Sequence, residues 1–90
     1  MNVAYVRVST VEQNEARQVE ALKRHNIDRW FIEKVSGKNM DRPELQKMLK
    51  SVQPGDTVFI HDFSRLARSP KDLIEMVETL RANGVHLASD

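Results

Sequence analysis

Apolar and polar positions form two repeating patterns, which divide the chain into four strand-like and three helix-like segments. Short apolar runs rich in β-branched residues predict strands. Strands and helices alternate, which predicts a three-layer α/β fold: an open, mostly parallel sheet with helices on both faces. No linker-like stretch interrupts the segments, so we expect residues 1–90 to form one domain. The predicted strands are about Asn2–Ser9, Trp30–Val35, Thr57–Phe63 and Val85–Ser89.

Residues that begin or end helices delimit the helical segments. Pro43 suits the first turn of the second helix, which Pro54-Gly55 ends. Ser69 is the expected cap of the third helix, Pro70 lies in its first turn, and Gly84 ends it. The faces predicted to pack on the sheet are Ala16, Val19 and Leu22 in the first helix (Val11–His25), Leu45, Met48, Leu49 and Val52 in the second, and Leu73, Met76, Val77 and Leu80 in the third.

Polar and basic residues follow the first three predicted strands. In a parallel sheet all carboxyl ends lie along one edge, where open α/β sheets bind ligands. Arginine presents a planar, permanently charged fork that matches phosphate oxygens. Several arginines around a hydroxyl therefore favour phosphoryl transfer. The candidate residues at this edge are Arg7, Ser9, Ser36, Arg42, Ser64, Arg65 and Arg68, with the loop Ser36-Gly37-Lys38-Asn39.

The same residues also have purely structural interpretations. Ser9 and Thr10 precede a predicted helix, and Thr10-x-x-Gln13 fits a capping box, in which the hydroxyl serves the backbone. The arginines could form surface ion pairs with carboxylates such as Glu33 or Asp62. The alternatives to an enzyme are therefore a non-catalytic phosphate- or nucleotide-binding module and a purely structural oligomerisation domain.

The residues present argue against several familiar kinds of site. The chain has no cysteine, hence no disulfide, thiolate nucleophile or Cys-based zinc site. Ser36-Gly37-Lys38 lacks the first glycine and the final Ser/Thr of a P-loop, and no glycine-rich turn follows the first strand. His25, His61 and His86 lack the spacing of metal ligands, and we expect His61 to be a structural residue of the third strand. We expect no metal and no cofactor.

Charge and hydropathy limit the kinds of partner that the chain can bind. Of the 90 residues 30% are charged, 14 basic against 13 acidic, which gives a net charge of +1. A protein that binds nucleic acid by charge alone is more basic, so a DNA role requires a local arginine cluster or further chain. No apolar run is long enough for a membrane span, and no signal-peptide pattern precedes the first strand. We therefore expect a cytoplasmic protein that does not bind membranes.

Several short motifs occur in a specific order and spacing. They are Tyr5-Val6-Arg7-Val8-Ser9-Thr10, Gln13, Gln18, Val35-Ser36-Gly37-Lys38, Asp41-Arg42-Pro43-Glu44-Leu45, Gly55-Asp56, Ser64-Arg65-Leu66-Ala67-Arg68-Ser69 and Gly84-Val85. Together they resemble the catalytic domain of the serine recombinases, the resolvase/invertase family of site-specific DNA recombinases. The resemblance covers the whole chain.

The resemblance implies a reaction and assigns residues to it. Ser9 would attack a DNA phosphodiester and form a 5′-phosphoserine bond, followed by strand exchange and religation. Arg7, Arg65 and Arg68 would surround the scissile phosphate. Transesterification keeps the phosphodiester energy in the protein–DNA bond, so no ATP site is needed. The supporting active-site residues would be Gln13, Gln18, Ser36, Arg42 and Ser64.

The chain departs from the family pattern at one motif and is shorter than its members. Many members have Asp-Arg-Leu-Gly-Arg where this chain has Ser64-Arg65-Leu66-Ala67-Arg68, so a serine replaces an aspartate charge. Members also carry a long dimerisation helix and a separate DNA-binding domain, and we expect the natural protein to continue beyond Asp90.

The resemblance also implies partners and a setting. The partners are double-stranded DNA and further copies of the protein, as a dimer and a synaptic tetramer formed through the missing C-terminal regions. The 90 residues alone are therefore not expected to recombine DNA. Such enzymes are encoded by bacteria or by transposons and other mobile elements, and act at the nucleoid.

Overall fold

Four strands alternate with three helices in the part of the chain that the structure describes. The structure is a computed structural model and describes residues 1–9, 15–35, 42–61 and 69–89, with the backbone alone for Ser9 and Val35. No described helix has the length and apolar character needed to cross a bilayer. The elements are β1 (Asn2–Ser9), α1 (Glu15–Leu22) followed by a 3-10 turn (Lys23–His25), β2 (Arg29–Val35), α2 (Pro43–Ser51), β3 (Thr57–Ile60), α3 (Pro70–Ala82) and β4 (His86–Ser89).

The strands form one parallel sheet in the order β2-β1-β3-β4. β1 pairs with β2 as far as Ser9, which lies opposite Val35. It pairs with β3 only as far as Tyr5, which lies opposite Ile60. The carboxyl end of β1 therefore extends past the end of β3, and the predicted parallel α/β sheet is confirmed.

Two hydrophobic clusters lie on opposite faces of the sheet, because side chains alternate along each strand. α1 packs on one face through Leu22, whereas α2 and α3 pack on the other, which confirms the predicted three layers. The first cluster is Ala4, Val6, Val8 and Leu22. The second is Val3, Tyr5, Phe31, Leu45, Met48, Val58, Ile60, Leu80 and Val85.

The second and third helices begin at the predicted residues. The Ser69 hydroxyl accepts a hydrogen bond from the backbone N–H of Asp72 at 3.2 Å, and Pro70 is the first residue of α3. Ser69 is thus the predicted cap. α2 begins at Pro43 and ends at Ser51. Val52, predicted on its apolar face, follows the helix but still packs against the core.

The apolar face of the first helix differs from the prediction. Gln18 and Leu22 are the buried residues of α1, whereas Ala16 is exposed. Two residues correspond to roughly 200° around a helix, so a helix that turns Gln18 to the sheet turns Ala16 to solvent. The predicted start of this helix at Val11 lies outside the described residues.

The ends of two strands also differ from the prediction. β3 ends at Ile60, so His61 lies in a bend after the strand and not within it; the predicted end at Phe63 lies outside the described residues. Val85 does not begin the fourth strand. Its backbone N–H donates to the Leu80 carbonyl at 2.9 Å, so Val85 completes the end of α3.

Gly84 has a backbone conformation that favours glycine. Its φ is +76°, and an added Cβ would lie 3.1 Å from the Cβ of Pro54. We expect Gly84→Ala to lower the free energy of unfolding by about 1–3 kcal/mol through strain of this kind. Gly55→Ala is the matched control, because Gly55 also has a positive φ (+94°) but its added Cβ meets nothing within 4 Å. Urea denaturation measures both losses, and equal losses would show that the Pro54 contact contributes nothing.

Asp56, directly before β3, is a carboxylate fixed by two hydrogen bonds. Its Oδ2 accepts from the backbone N–H of Gln53 at 2.8 Å, and its Oδ1 accepts from the amino group of Met1 at 3.0 Å. These bonds, the Gln53 amide foremost, lower the pKa of the Asp56 carboxyl. A carboxyl with a depressed folded-state pKa stabilises the fold above its unfolded pKa of about 3.9. That contribution is lost as the pH falls through the folded pKa.

The pH dependence of thermal unfolding tests this interaction. We expect Asp56→Asn to lower Tm at pH 7 and to flatten the decline of Tm in acid, because asparagine has no charge to lose. Glu78→Gln, on an exposed position of α3, is the control and should keep the decline of the unsubstituted chain. An Asp56→Asn variant with an unchanged acid profile would refute the prediction.

Candidate active site

The connections of the sheet run in opposite directions from the boundary between β1 and β3. α1 leads from β1 to β2 over one face, whereas α2 and α3 pack on the other face and lead towards β3 and β4. In open α/β sheets, ligands bind in the crevice outside the carboxyl ends of the strands at such a point. The carboxyl end of β1, Arg7-Val8-Ser9, therefore lies at the usual ligand position of this fold.

Ser9 is the last residue of β1, and its backbone pairs with Val35, the last residue of β2. The two strands end side by side at the predicted edge. Arg7, two residues earlier, is half-buried and lies opposite Glu33 of β2. Because residues two apart in a strand share a face, Arg7 belongs to the face of Tyr5, on which α2 and α3 pack.

Gln18 connects α1 to the end of β1. Its side chain is fully buried, and Nε2 donates a hydrogen bond to the carbonyl oxygen of Arg7 at 3.2 Å. Removing such a donor would leave a buried acceptor with one partner fewer, which is costly. The bond holds the backbone two residues before Ser9, and this contact suits the supporting function predicted for Gln18.

Arg42 lies against Tyr5 of β1. Its Nε donates to the Tyr5 hydroxyl at 3.2 Å, and its Cζ lies 5.5 Å from the ring centroid. Tyr5 is fully buried, whereas Arg42 is half-buried directly before α2. A guanidinium already held by a ring and a hydroxyl loses less freedom when it binds an anion. Arg42 is therefore preorganised on the sheet face of Arg7.

Glu33 is a buried carboxylate at the same edge, only 2% exposed. Its Oε2 accepts the backbone N–H of Glu44, in the first turn of α2, at 3.0 Å. Its Oε1 is buried and has no hydrogen-bond partner within the described ranges. The register places Glu33 opposite Arg7, so a carboxylate lies on the same face of the sheet as Arg7.

Burial and the surrounding charges shift the pKa of the Tyr5 hydroxyl. Burial raises its pKa above the ordinary value, and the Glu33 carboxylate acts in the same direction, while Arg42 and Arg7 oppose the rise. The phenol is therefore protonated at neutral pH and serves Arg42 as a neutral acceptor. Three charged groups thus lie within electrostatic range of one buried hydroxyl. Guanidinium groups such as those of Arg7 and Arg42 match the oxygens of a phosphodiester.

The structure describes four of the nine predicted site residues. Arg7, Gln18 and Arg42 are the predicted site residues whose side chains the structure describes, and Ser9 is described by its backbone. Within the described ranges, no three His, Cys, Asp or Glu side chains are grouped as metal ligands. The predicted site residues outside the described part of the chain are Gln13, Ser36, Ser64, Arg65 and Arg68.

Two residues of this edge were not predicted as site residues. The sequence predicts Tyr5 only as a buried strand residue and Glu33 only as an ion-pair partner. A usable signal exists for Glu33, because it alternates with Phe31 along β2 and therefore lies on the core side of the sheet. A carboxylate at a core position of a strand requires a partner.

The sequence matches a known family along almost its whole length. The family described as "Resolvase, N terminal domain" matches residues 2–89. The chain belongs to this family. Transposon Tn21 resolvase of Escherichia coli is 45% identical over 85 residues, which cover 94% of this chain and 44% of that protein. The DNA-invertase hin of Salmonella typhimurium is 41% identical over 87 residues, which cover 97% of this chain and 46% of the invertase.

The fold of this resolvase-family chain is also that of a solved catalytic domain. The C-terminal catalytic domain of ISC1926 TnpA, an IS607-like serine recombinase, superposes with a TM-score of 0.79 at 25% sequence identity. The match covers 98% of this chain and 65% of that one. The resemblance to serine recombinases is thus confirmed for family and fold, and the chain spans about half the length of the two relatives above.

Proposed function

We propose that the chain is the catalytic domain of a site-specific DNA recombinase in which Ser9 is the nucleophile. One observation carries the proposal: Arg7 and the preorganised Arg42 lie on one face of the sheet at the carboxyl end of β1, where Ser9 is the last residue. Membership of the resolvase family supports DNA as the substrate, since its relatives are a resolvase and a DNA-invertase.

The proposed reaction is a phosphoryl transfer that conserves the phosphodiester bond. The Oγ of Ser9 attacks a DNA phosphorus, the O–P bond to serine forms, and the bond from phosphorus to the 3′ oxygen breaks. In net terms the serine proton passes to that oxygen, which leaves a 5′-phosphoserine bond and a free 3′ hydroxyl. After strand exchange, a 3′ hydroxyl attacks the phosphoserine and restores both groups.

The arginines would supply the electrostatic part of this reaction. Charge develops on the phosphate oxygens in the transition state, and fixed cationic donors stabilise that charge. Arg7, Arg65 and Arg68 are the proposed phosphate ligands, and Arg42 is a further donor on the Arg7 face. Gln18 holds the backbone of Arg7. The proposed supporting residues outside the described ranges are Gln13, Ser36 and Ser64.

The proposed whole protein is longer than these 90 residues. Its relatives extend over about twice this length, and we assign the dimerisation helix and DNA-binding domain to that remainder. The near-neutral charge of the chain agrees with this division, since most DNA affinity would come from other regions. The partners are double-stranded DNA and further copies of the protein, acting in the cytoplasm.

A covalent trapping experiment tests the function. The intact protein is incubated with supercoiled DNA that carries its recombination site, and the reaction is stopped with denaturant. We expect cut DNA whose 5′ ends are linked to protein and whose 3′ ends are free. Binding of inorganic phosphate without any cutting would favour the non-catalytic phosphate-binding module, and neither activity would favour a structural domain.

Cutting is expected to proceed without a divalent metal. Permanently charged arginines can neutralise the scissile phosphate, and the sequence has no evident carboxylate or histidine ligand set near Ser9. Excess chelator should therefore leave the rate of strand cutting within about twofold of its value in magnesium. A magnesium-dependent endonuclease in the same buffer confirms that the chelator is effective. Loss of cutting that magnesium restores would contradict the prediction.

A further inference from the structure

Glu33 occupies a position at which the fold favours an apolar side chain. It alternates along β2 with Phe31, a member of the hydrophobic cluster under α2 and α3, and it is 2% exposed. A buried carboxylate is unfavourable unless hydrogen bonds and opposite charges compensate for its lost hydration. Its surroundings should therefore show what the charge stabilises.

One carboxylate oxygen of Glu33 acts as the missing cap of α2. The first amides of a helix have no partner within it, and the N-cap side chain normally accepts one of them. Arg42 occupies that N-cap position and makes no cap hydrogen bond. Instead, Glu33 Oε2 accepts the N–H of Glu44 at 3.0 Å from the neighbouring strand. A negative charge at a helix N-terminus is itself favourable.

Because Glu33 accepts the Glu44 amide, the N-cap residue of α2 does not need to do so, and the Arg42 side chain contacts Tyr5 instead. A Ser or Asp at the N-cap would bond to its own helix, whereas Arg42 extends to Tyr5 with its Nε 3.2 Å from the hydroxyl. Arg42 lies only two residues before Glu44. The hydrogen bond that the Glu44 amide donates to Glu33 therefore also fixes the backbone position of Arg42.

The second oxygen of Glu33 lies among the charges of the site. Oε1 is buried without a hydrogen-bond partner in the described part of the chain. The register places Glu33 opposite Arg7, and its charge acts on the Tyr5 hydroxyl together with those of Arg42 and Arg7. Two guanidinium groups on one sheet face repel each other, and the buried carboxylate of Glu33 on the neighbouring strand offsets that repulsion.

We propose that Glu33 is a positioning residue of the active site, which caps α2 in place of Arg42 and balances the charges of Arg42 and Arg7. The capping role follows from the fold of this chain. The consequence for catalysis rests on the proposed recombinase function, because it requires that Arg42 bind the scissile phosphate.

Two substitutions of Glu33 distinguish its hydrogen bond to the Glu44 amide from its negative charge. Glu33→Ala removes both, and Glu33→Gln keeps an oxygen for the Glu44 amide while it removes the charge. Glu44→Gln is the matched control, since it removes a carboxylate of equal size from the first turn of α2, one whose described partner is Lys47. In this chain, Glu33→Ala is expected to speed hydrogen exchange of the Glu44 amide about tenfold, the usual effect of a lost cap. Nuclear Overhauser contacts between the Arg42 Hε and the Tyr5 ring should weaken with it.

The intact recombinase supplies the catalytic readout. A displaced donor commonly costs on the order of 100-fold in rate, so we expect that loss in kcat for strand cutting by Glu33→Ala. Glu33→Gln should lose about tenfold, as the charge alone is removed. KM for DNA should change little in both variants. Glu44→Gln should match the unsubstituted protein in cutting and in the Arg42–Tyr5 contacts.

The outcomes are distinguishable. Unchanged Glu44 exchange and unchanged Arg42–Tyr5 contacts in Glu33→Ala would overturn the proposal, as would cutting at the unsubstituted rate by both variants. If Glu33→Ala fails to fold, the tenfold loss of kcat with protected Glu44 amide in Glu33→Gln decides. If the unsubstituted protein never links to DNA, the proposed function fails, whereas the amide exchange still decides the capping role of Glu33.

Discussion

Ser9→Ala in the intact protein, the proposed recombinase, is expected to abolish covalent protein–DNA complexes, a loss on the order of 10⁴-fold or more. Ser9 ends the inner strand β1, beside the end of β2. The connections of the sheet run in opposite directions from the boundary between β1 and β3. Without its hydroxyl no bond from protein to phosphorus can form. DNA binding should stay near normal, because cationic groups and not a serine hydroxyl dominate affinity for phosphate. Gel separation of denatured complexes and a binding titration measure the two quantities.

Other serines that end predicted or observed strands are the controls. Ser36 and Ser64 follow the second and third predicted strands, and Ser89 is the last residue of β4. Ser36→Ala and Ser64→Ala should slow cutting but still yield protein-linked 5′ ends. Ser89→Ala should have no effect, since β4 is separated from β1 by β3. Normal covalent complexes in Ser9→Ala would refute the assignment of the nucleophile.

Arg7→Ala is expected to reduce the rate of strand cutting by 10²- to 10³-fold, about the loss seen when one charge-stabilising donor is removed. Arg7 lies two residues before Ser9, its carbonyl is held by Gln18 at 3.2 Å, and its charge acts on the buried hydroxyl of Tyr5. The Gln18 bond fixes the backbone from which this donor extends before the substrate arrives. Single-turnover cutting of supercoiled DNA measures the rate.

Two further variants distinguish charge from geometry at Arg7. Arg7→Lys keeps the positive charge but loses the planar fork, so an intermediate rate is expected. Arg17→Ala removes an exposed arginine of α1 and should leave the rate unchanged. An Arg7→Ala variant that cuts as fast as Arg17→Ala would show that Arg7 does not stabilise the reacting phosphate.

Much of the fold could be predicted from local sequence. The limits of Asn2–Ser9, the cap at Ser69 and the proline at the start of α2 depend on neighbouring residues, and the structure confirms them. The error at Ala16 arose because its helix also buries Gln18. A polar residue on the buried side is not visible in a pattern of apolar positions.

The site could be predicted only in part, because its support comes from contacts between distant segments. Arg7 and Arg42 were predicted from their residue type and from the shared edge of the strands. The contacts of Tyr5 and Glu33 at this site depend on register and on hydrogen bonds across elements. The Tyr5 hydroxyl accepts a hydrogen bond from Arg42, which directly precedes α2. Glu33 caps this helix, which begins ten residues later in the chain. Periodicity along one segment does not contain that information.

Mass spectrometry of the trapped complex tests the central claim most directly. The intact protein is reacted with DNA that carries its recombination site, denatured and digested with protease and nuclease, and the nucleotide adduct is located by fragmentation of the peptides. The account predicts a single adduct, a phosphodiester on the Oγ of Ser9 that carries the 5′ nucleotide. An adduct on Ser36, Ser64 or any other residue, with Ser9 unmodified, would contradict it.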